Sequence, residues 1–494
     1  MSGARARGID EGKTVRIAVV GIGYVGLVTS ACLAEWGNEV VGIEVDADRL
    51  EHLLDGVVPF HEPGVTDLVR ANRASGRLRF TADIAEVGEA DLVFVAVGTH
   101  DGAGGWQSDT LAACVRQLLP HLTPGSALVI RSTVPPEFVG ELEALVGPAG
   151  QGGRGVAALL NPEFTREGSA VDDFFKPDRI VVGVLEDSSG SGVTLLRELY
   201  SLVDAPLLVL PAIDAALSKL GSNLFLATKI SFANELAAVC ELYGASVDQV
   251  VAAMAHDPRI GGSFLRPGVG FGGSCLPNQV RMTVANASSR GTRTPLLAAV
   301  DEVNAGQADL LVQKLRDALG DLARRRIAIL GLAFKPSTDD LREAPSLRVI
   351  RLLMEAGARV RAFDPMPAAR ARAAESVPGL NVASALSDAL FAADAVALVT
   401  EWPAFVDIDW FAARRLMQGR VFVDGRNALE PDVMARAGFA YSSFGRPSPV
   451  AAQPSGLRAL RPVGPGIGDS SPALAPALAS AALAGIAPRT PDAA

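Results

Sequence analysis

Cysteine is scarce in this chain of 494 residues, which contains four and no CxxC pair. So few thiols without paired spacing give neither a disulfide framework nor a zinc site, and they favour a reducing compartment. Long apolar runs are also lacking, since none approaches the length of about 20 residues that a transmembrane helix needs. We therefore expect a cytoplasmic protein with no metal site and no membrane partner.

Positive charge is in deficit. Lys and Arg number 45 against 55 Asp and Glu, which gives a net charge of -10. The basic footprint of a nucleic-acid-binding protein is therefore missing, and an anionic ligand would need a local basic pocket. Hydrophobic residues make up 49% and charged residues 20%, which excludes disorder for most of the chain.

The chain carries an internal repeat. Residues 16–23, RIAVVGIG, match residues 326–333, RIAILGLA, and both read as buried parallel strands that end at a glycine turn. Residues 37–44 and 357–364 match next, each with a helix-stopping Gly before a strand that ends in an acid. We predict an α/β fold with two Rossmann-like doubly wound domains.

The segment between the two repeats is helical in pattern. Apolar residues recur at helical spacing from Asp214 to Gly244, which predicts a long helix joining the two domains. The predicted organisation is a flexible arm (1–14), a dinucleotide-binding domain (15–211), a central long-helix dimerisation domain (212–315), a second Rossmann-like domain (316–446) and a disordered Ala/Pro-rich tail (447–494).

A glycine motif follows the first strand. Gly21-x-Gly23-x-x-Gly26 allows a tight turn and close approach of a pyrophosphate to a helix N-terminus. Glu44 ends the second strand, where a carboxylate would bind both ribose hydroxyls and repel a 2′-phosphate, so NAD is favoured over NADP. A merely charged strand end, with Asp46 as the cofactor acid, is the alternative.

Cys275 differs from the other cysteines in its local sequence. It follows a glycine-rich turn and precedes Pro277, so a thiol there would lie at a helix N-terminus, with a depressed pKa and nucleophilic character, unless it is a chance loop cysteine. Cys32, Cys114 and Cys240 lie in apolar helical stretches and indicate burial.

Lysine is rare, with six residues in all, so each lysine is considered as a candidate functional residue. Lys219 lies inside the apolar central helix, and Asn223 follows one turn later on the same face. A buried ammonium and amide could bind an alkoxide or oxyanion, whereas the alternative for Lys219 is a side chain that reaches out to solvent.

Together these motifs resemble the UDP-glucose/GDP-mannose dehydrogenase family over residues 15–446. The matching motifs are Gly21-Ile-Gly-Tyr-Val-Gly26, Ser132-Thr-Val-Pro135, Asn161-Pro-Glu-Phe164 with Glu167-Gly168, Lys219 with Asn223, Arg259-Ile-Gly261, Gly270-Phe-Gly-Gly-Ser-Cys275, Gly331-Leu-Ala-Phe-Lys335 and Asp424-Gly-Arg426.

The resemblance implies oxidation of the C6 alcohol of UDP-glucose, or a related nucleotide sugar, to a carboxylate with two NADH formed. It also implies a homodimer or higher homo-oligomer. Cys275 would hold a thiohemiacetal and then a thioester, Lys219 and Asn223 would stabilise oxyanions, and Glu163 and Thr133 would hold a water.

The remaining site residues follow from the same resemblance. The cofactor would lie against Gly21, Gly23, Tyr24, Val25, Gly26, Glu44, Arg49, Thr99, Thr133, Glu167 and Arg342. The nucleotide sugar would contact Glu163, Phe164, Lys219, Asn223, Phe271, Gly272, Lys335, Arg426 and Arg259 of a neighbouring subunit.

The chain departs from the family at two acidic positions. Glu44 stands where the family usually has Asp, which keeps a carboxylate for the ribose. After Cys275 the family's Lys-Asp pair is replaced by Asn278-Gln279, and an amide cannot take a proton. A catalytically impaired NAD- and UDP-sugar-binding paralogue is therefore the alternative to a working enzyme. A hydroxy-acid dehydrogenase would leave Cys275 and the second nucleotide domain unexplained.

The composition of the tail generates a first prediction. Removal of residues 448–494 should change neither the melting temperature nor turnover, because a segment dominated by Pro, Ala, Ser and Gly cannot bury a core. Thermal denaturation and steady-state assays of full-length and truncated protein compare the two, and a large fall in melting temperature would contradict the assignment of this segment as a tail.

Overall fold

The structure, a computed structural model, describes residues 15–99, 107–147 and 156–447. The predicted arm (1–14) and nearly all of the predicted tail (448–494) lie outside the described residues. Within the described part, no helix is long and apolar enough to cross a membrane.

An eight-stranded sheet forms the first domain, with strand order β3-β2-β1-β4-β5-β6-β7-β8. Neighbouring strands are parallel except β6 and β7, which are antiparallel. The strands are β1 (Arg16–Val20), β2 (Glu39–Ile43), β3 (Leu78–Thr81), β4 (Leu92–Val95), β5 (Ala127–Ile130), β6 (Ala157–Leu160), β7 (Ile180–Glu186) and β8 (Leu207–Pro211). The helices of this domain are α1 (Tyr24–Glu35), α2 (Ala47–Leu54), α3 (Val65–Ala74), α4 (Ser108–Leu118), α5 (Val139–Val146), α6 (Ala170–Phe175) and α7 (Ser191–Leu199).

Four helices follow the first sheet: α8 (Ala212–Tyr243), α9 (Val247–Ala255), α10 (Leu276–Ser289) and α11 (Pro295–Leu319). Helix α8 is the predicted long helix, and it ends at Gly244, whose φ of 67° lies in the left-handed region that favours glycine. Helix α11 runs past the predicted domain boundary at residue 315 because no glycine or proline occurs between that residue and Gly320.

A six-stranded parallel sheet forms the third region, with strand order β11-β10-β9-β12-β13-β14. Its strands are β9 (Arg326–Leu330), β10 (Arg359–Phe363), β11 (Asn381–Val382), β12 (Ala395–Leu398), β13 (Val421–Asp424) and β14 (Ala440–Ser443). Its helices are α12 (Pro345–Glu355), α13 (Pro367–Ser376), α14 (Leu386–Leu390), α15 (Pro403–Val406), α16 (Trp410–Arg414) and α17 (Pro431–Arg436).

The internal repeat is visible in matching hydrogen bonds. In the first sheet, the amide of Ile22 donates to Glu44 at 3.1 Å; in the second, the amide of Leu332 donates to Asp364 at 2.7 Å. Each acid directly follows the second strand of its repeat, β2 or β10. Its carboxylate holds the glycine turn in place by accepting an amide of that turn. The prediction of two Rossmann-like domains around a central long helix is therefore confirmed.

The first glycine turn generates a stability prediction. A Cβ on Gly26 would lie 1.9 Å from the carbonyl oxygen of Gly21, whereas a Cβ on Gly23 would meet nothing within 4 Å. Gly26→Ala should therefore lower the free energy of unfolding by about 1–3 kcal/mol, since helix α1 must move away from the turn. Gly23→Ala is the matched control and should melt with the parent; equal melting temperatures for all three proteins would contradict the packing argument.

Candidate active site

The glycine turn after β1 is shaped to receive a dinucleotide. Gly21 has a φ of +86°, which only glycine adopts readily, and the space above Gly23 is open. The first turn of α1 carries no acidic residue, so its free amides and the helix dipole can meet a pyrophosphate. The residues of this turn therefore fit the pyrophosphate of a dinucleotide such as NAD. Val25, in the same turn, is half-buried.

Glu44 faces the glycine turn from the end of β2 and is 3% exposed. One carboxylate oxygen accepts the Ile22 amide and the Arg49 guanidinium at 3.0 Å, and the other accepts the Asp46 amide. Asp46, the alternative cofactor acid, instead caps α2 by accepting the Arg49 amide. Because Glu44 occupies the Arg49 guanidinium, that cation gives no separate site for a 2′-phosphate.

Other predicted cofactor residues lie where ligands bind such sheets, beyond the carboxyl ends of the strands. Thr99 follows β4 and is buried, and Thr133 follows β5 and is half-buried. Tyr24, the first residue of α1, donates its hydroxyl to the buried carboxylate of Glu62 at 2.5 Å. Glu62 also accepts the amide of Gly168, which joins the cofactor turn to the segment that carries Glu167.

Cys275 precedes α10 as its N-cap residue and is solvent-accessible. The expectation of a depressed thiol pKa was wrong. Protein packed around the sulfur raises the pKa of Cys275, the Lys219 charge lowers it, and the charges of Glu163 and Glu167 raise it further. Desolvation and two carboxylates therefore outweigh one ammonium, so the free thiol is largely protonated at neutral pH.

Lys219 is 4% exposed and does not reach out to solvent. Its ammonium donates to the main-chain carbonyl of Glu163 at 2.5 Å and to the Glu163 carboxylate at 3.0 Å. Burial tends to raise the pKa of Glu163, but the Lys219 charge, the Thr165 hydrogen bond and the Arg131 charge lower it overall. This ion pair connects the loop after β6 to the central helix α8.

Gln279 is tied to Asn223, which the sequence had placed one helical turn from Lys219. The Asn223 amide donates to the Gln279 side-chain oxygen at 2.9 Å, and Gln279 is 1% exposed. Its neighbour Asn278 accepts the Arg281 guanidinium at 2.7 Å. Both residues that replace the family's Lys-Asp pair therefore make side-chain hydrogen bonds with neighbouring residues.

Glu167 lies near both Cys275 and the third region. Arg342 donates to one of its oxygens at 3.3 Å, and the other oxygen is buried without a hydrogen-bond partner among the described residues. Burial and the Asp340 charge raise the pKa of Glu167 to about 7, although Arg342 and Lys335 oppose the shift. Burial lowers the pKa of Lys335 itself.

The predicted substrate residues divide into two groups. Phe164 lies between Arg179, whose guanidinium carbon is 3.8 Å from the ring centroid, and Lys219 at 5.2 Å. Gly272 packs so tightly that a Cβ would lie 2.4 Å from the Glu343 carbonyl oxygen. Phe164 lines the same cavity as Lys219 and Asn223.

The other group has its side chains occupied elsewhere. The ring of Phe271 is buried in a small core with Val280, so only its backbone can face a ligand. The Arg426 guanidinium donates to the carbonyls of Val399, Gly270 and Phe334, which holds the loop before Cys275 against the third region. Arg259 is 87% exposed and pairs with Asp257. It lies on the surface, where a second subunit could use it.

Sequence reasoning missed two residues that organise the site. Asn304 on α11 accepts the Phe271 amide and donates to the Phe271 carbonyl, which clamps the loop from both sides. Thr165 donates its hydroxyl to Glu163. Its place two residues after a candidate acid was a usable signal, because Thr at that spacing bonds local side chains readily.

Comparison with known proteins agrees with this geometry. Domain models of the UDP-glucose/GDP-mannose dehydrogenase family match residues 15–204 (NAD-binding domain), 214–306 (central domain) and 328–431 (UDP-binding domain). A UDP-glucose 6-dehydrogenase from Pseudomonas aeruginosa is 42% identical over 88% of this chain and 98% of its own length. UDP-glucose 6-dehydrogenase TuaD from Bacillus subtilis is 38% identical over 89% of this chain and 95% of its own length.

The fold has solved relatives as well. A UDP-glucose dehydrogenase structure from Pyrobaculum islandicum has a TM-score of 0.77 and 35% identity, covering 85% of this chain and 98% of that one. The fold and the site define an NAD-dependent dehydrogenase. The chain belongs to the UDP-glucose/GDP-mannose dehydrogenase family.

The charges around Cys275 generate a third prediction. Alkylation of Cys275 by iodoacetamide should be slow at pH 7 and accelerate as the pH rises above the ordinary thiol range, because the thiolate is the nucleophile. Lys219→Met removes the cation that lowers the thiol pKa and should slow alkylation at pH 8 by about threefold to tenfold. Peptide mass spectrometry measures both rates.

Lys229→Met provides the control, since Lys229 lies on the same helix and donates to the Ile260 carbonyl instead. Rapid alkylation of the parent at pH 6, or equal slowing by both lysine variants, would contradict the assignment of Lys219 as the controlling charge.

Proposed function

We propose that the protein oxidises UDP-glucose at C6 to UDP-glucuronate, with two molecules of NAD reduced per sugar. The observation that carries the proposal is that Lys219, which lines one cavity together with Asn223 and Glu163, lies close enough to Cys275 for its charge to act on the thiol. Two successive oxidations of a primary alcohol through a covalent intermediate require a nucleophile to hold the intermediate. They also require a cation and an amide donor to stabilise the oxyanions. The names of its relatives favour UDP-glucose among nucleotide sugars.

The chain's residues have distinct parts in this reaction. NAD held at the glycine turn beside Glu44 would supply the hydride acceptor for each of the two oxidations at C6. Lys219 and the second amide hydrogen of Asn223 stabilise the alkoxide at C6. The Cys275 sulfur bonds to the aldehyde carbon to form a thiohemiacetal, and loss of a second hydride from C6 leaves a thioester. The proton of the C6 hydroxyl and the proton of the Cys275 thiol pass to solvent. Water, held by Glu163 and Thr133, then breaks the carbon–sulfur bond, releases the carboxylate and returns the thiol.

The proposed assembly is at least a homodimer in the cytoplasm. The Arg259 side chain is exposed to solvent and paired only with Asp257 among the described residues. It is therefore free for a second subunit to use on a bound pyrophosphate, and a guanidinium is the side chain suited to such an anion.

A catalytically impaired paralogue that binds NAD and a UDP-sugar is the second candidate. Gln279 favours it, because this amide stands where the family resemblance expects a carboxylate and is already engaged with Asn223. A protein of this kind would bind both ligands without forming NADH.

The reaction itself gives the fourth prediction. Incubation with UDP-glucose should yield two NADH per sugar and a product of UDP-glucuronate mass, and NADP should be a much poorer oxidant because its 2′-phosphate would meet Glu44. Absorbance at 340 nm and product mass check both points. One NADH per sugar would indicate an arrested oxidation, none with intact binding would favour the paralogue, and equal turnover with NADP would contradict the role of Glu44.

Gln279 gives the fifth prediction. The parent should turn over slowly and accumulate a covalent adduct on Cys275, because general-base assistance worth about 10²- to 10⁴-fold is missing from thioester hydrolysis. Gln279→Asp, with or without Asn278→Lys, should raise the steady-state rate and remove the adduct.

Intact mass spectrometry of the quenched enzyme measures the adduct. Asn278→Lys alone is the matched control, since it restores a charge but no base. A parent with ordinary turnover and no gain from Gln279→Asp would show that another group already activates the water.

A further inference from the structure

The loop after β6 holds Glu163 by both of its oxygens. One oxygen accepts the Lys219 ammonium at 3.0 Å. The other accepts the Thr165 amide and the Thr165 hydroxyl, both at 2.6 Å. A carboxylate offers about four acceptor positions, so these three bonds leave one for a water or a substrate hydroxyl.

The hydroxyl bond is a separate constraint from the backbone bond. Any residue at position 165 would supply the amide, but only Ser or Thr supplies a hydroxyl there that can donate at this distance. Short hydrogen bonds to an ionised acceptor are about twice as strong as neutral ones. The Thr165 side chain therefore favours the charged form of Glu163 and fixes the plane of its carboxylate.

The charged surroundings of Glu163 come from four further elements. Lys219 faces it from α8, and Arg131 faces it from the end of β5. Cys275 and Tyr24 lie close enough for the Glu163 charge to act on their own ionisation. Two cations and two uncharged acidic groups therefore lie around the Glu163 carboxylate. The Thr165 hydroxyl adds an uncharged hydrogen-bond donor to these groups.

We propose that Thr165 is a positioning residue that keeps Glu163 ionised and turned toward Lys219, so that Glu163 orients water and balances the lysine rather than taking up a proton during the reaction. The inference rests on the proposed function for its catalytic meaning. With Gln279 unable to accept a proton and Glu163 held in its charged form, the loop after β6 contributes a fixed negative charge to the cleft.

The first test measures the ionisation of Glu163 without turnover. Protein labelled with ¹³C at glutamate side-chain carboxyls is titrated by NMR, and Glu163→Gln identifies the resonance. Thr165→Val removes the hydroxyl with little change of shape and should move the Glu163 midpoint up by about one pH unit. Thr165→Ser keeps the hydroxyl and should titrate like the parent, and Thr165→Ala is a second hydroxyl-free variant.

Thr228→Val is the matched control, because it deletes a hydroxyl that bonds the Leu224 carbonyl within α8. The proposal is overturned if the midpoint is unchanged in both hydroxyl-free variants, or if Thr165→Val and Thr228→Val shift it equally. Neither result depends on whether UDP-glucose is oxidised.

The second test uses the enzyme during turnover with NAD and UDP-glucose. The acidic limb of the kcat profile should move to higher pH in Thr165→Val, be restored in Thr165→Ser, and leave the KM for NAD within about twofold of the parent. A parent that oxidises no UDP-sugar while Thr165→Val still shifts the Glu163 midpoint would refute the proposed function and leave the inference standing. Normal turnover with unshifted profiles would refute the inference alone.

Discussion

The buried ion pair between Lys219 and Glu163 is the contact on which the rest of the site depends. Both side chains are at most one tenth exposed, so each charge would be costly to bury without the other. Lys219 is fixed on the long helix α8, and Glu163 follows strand β6 of the first sheet. The pair therefore fixes the distance between the cofactor domain and the helix that carries Asn223, and through Asn223 it also fixes Gln279 on α10.

A second set of contacts holds the third region against the loop before Cys275 and against the first domain. Arg426 donates to the Gly270 and Phe334 carbonyls, and the Gly273 amide donates to the Arg342 carbonyl at 2.9 Å. Because Arg342 also reaches Glu167 through its side chain, the loop before Cys275 is held between the two nucleotide-type domains. The thiol consequently faces carboxylates from the first domain and an ammonium from the central helix, which explains why its ionisation differs from the expectation for a cysteine at a helix N-terminus.

Sequence patterns were sufficient for the architecture, while the roles assigned to the reactive groups stay predictions. The strand-glycine-helix pattern around Gly21 and the acid at Glu44 depend on local backbone geometry, which is encoded over short distances. Lys219 is buried, whereas its place in an apolar helix had left a side chain that reaches out to solvent as the alternative. The pKa of Cys275 was out of reach because it depends on desolvation and on Glu163 and Glu167, which are far away in sequence. The role of Asn304 needed the folded loop for the same reason, because Asn304 lies 33 residues after Phe271. Thr165 follows Glu163 by only two residues, so its role was within reach of the sequence.

The first glycine turn and the Arg426 contacts lie at opposite ends of the chain, with the helices between them. Each Rossmann-like sheet closes within its own region of the chain, whereas the contact of Arg426 with Gly270 joins residues 156 apart and that of Arg342 with Glu167 joins residues 175 apart. The dinucleotide cradle is therefore built within one region, while the charges around Cys275 come from all three.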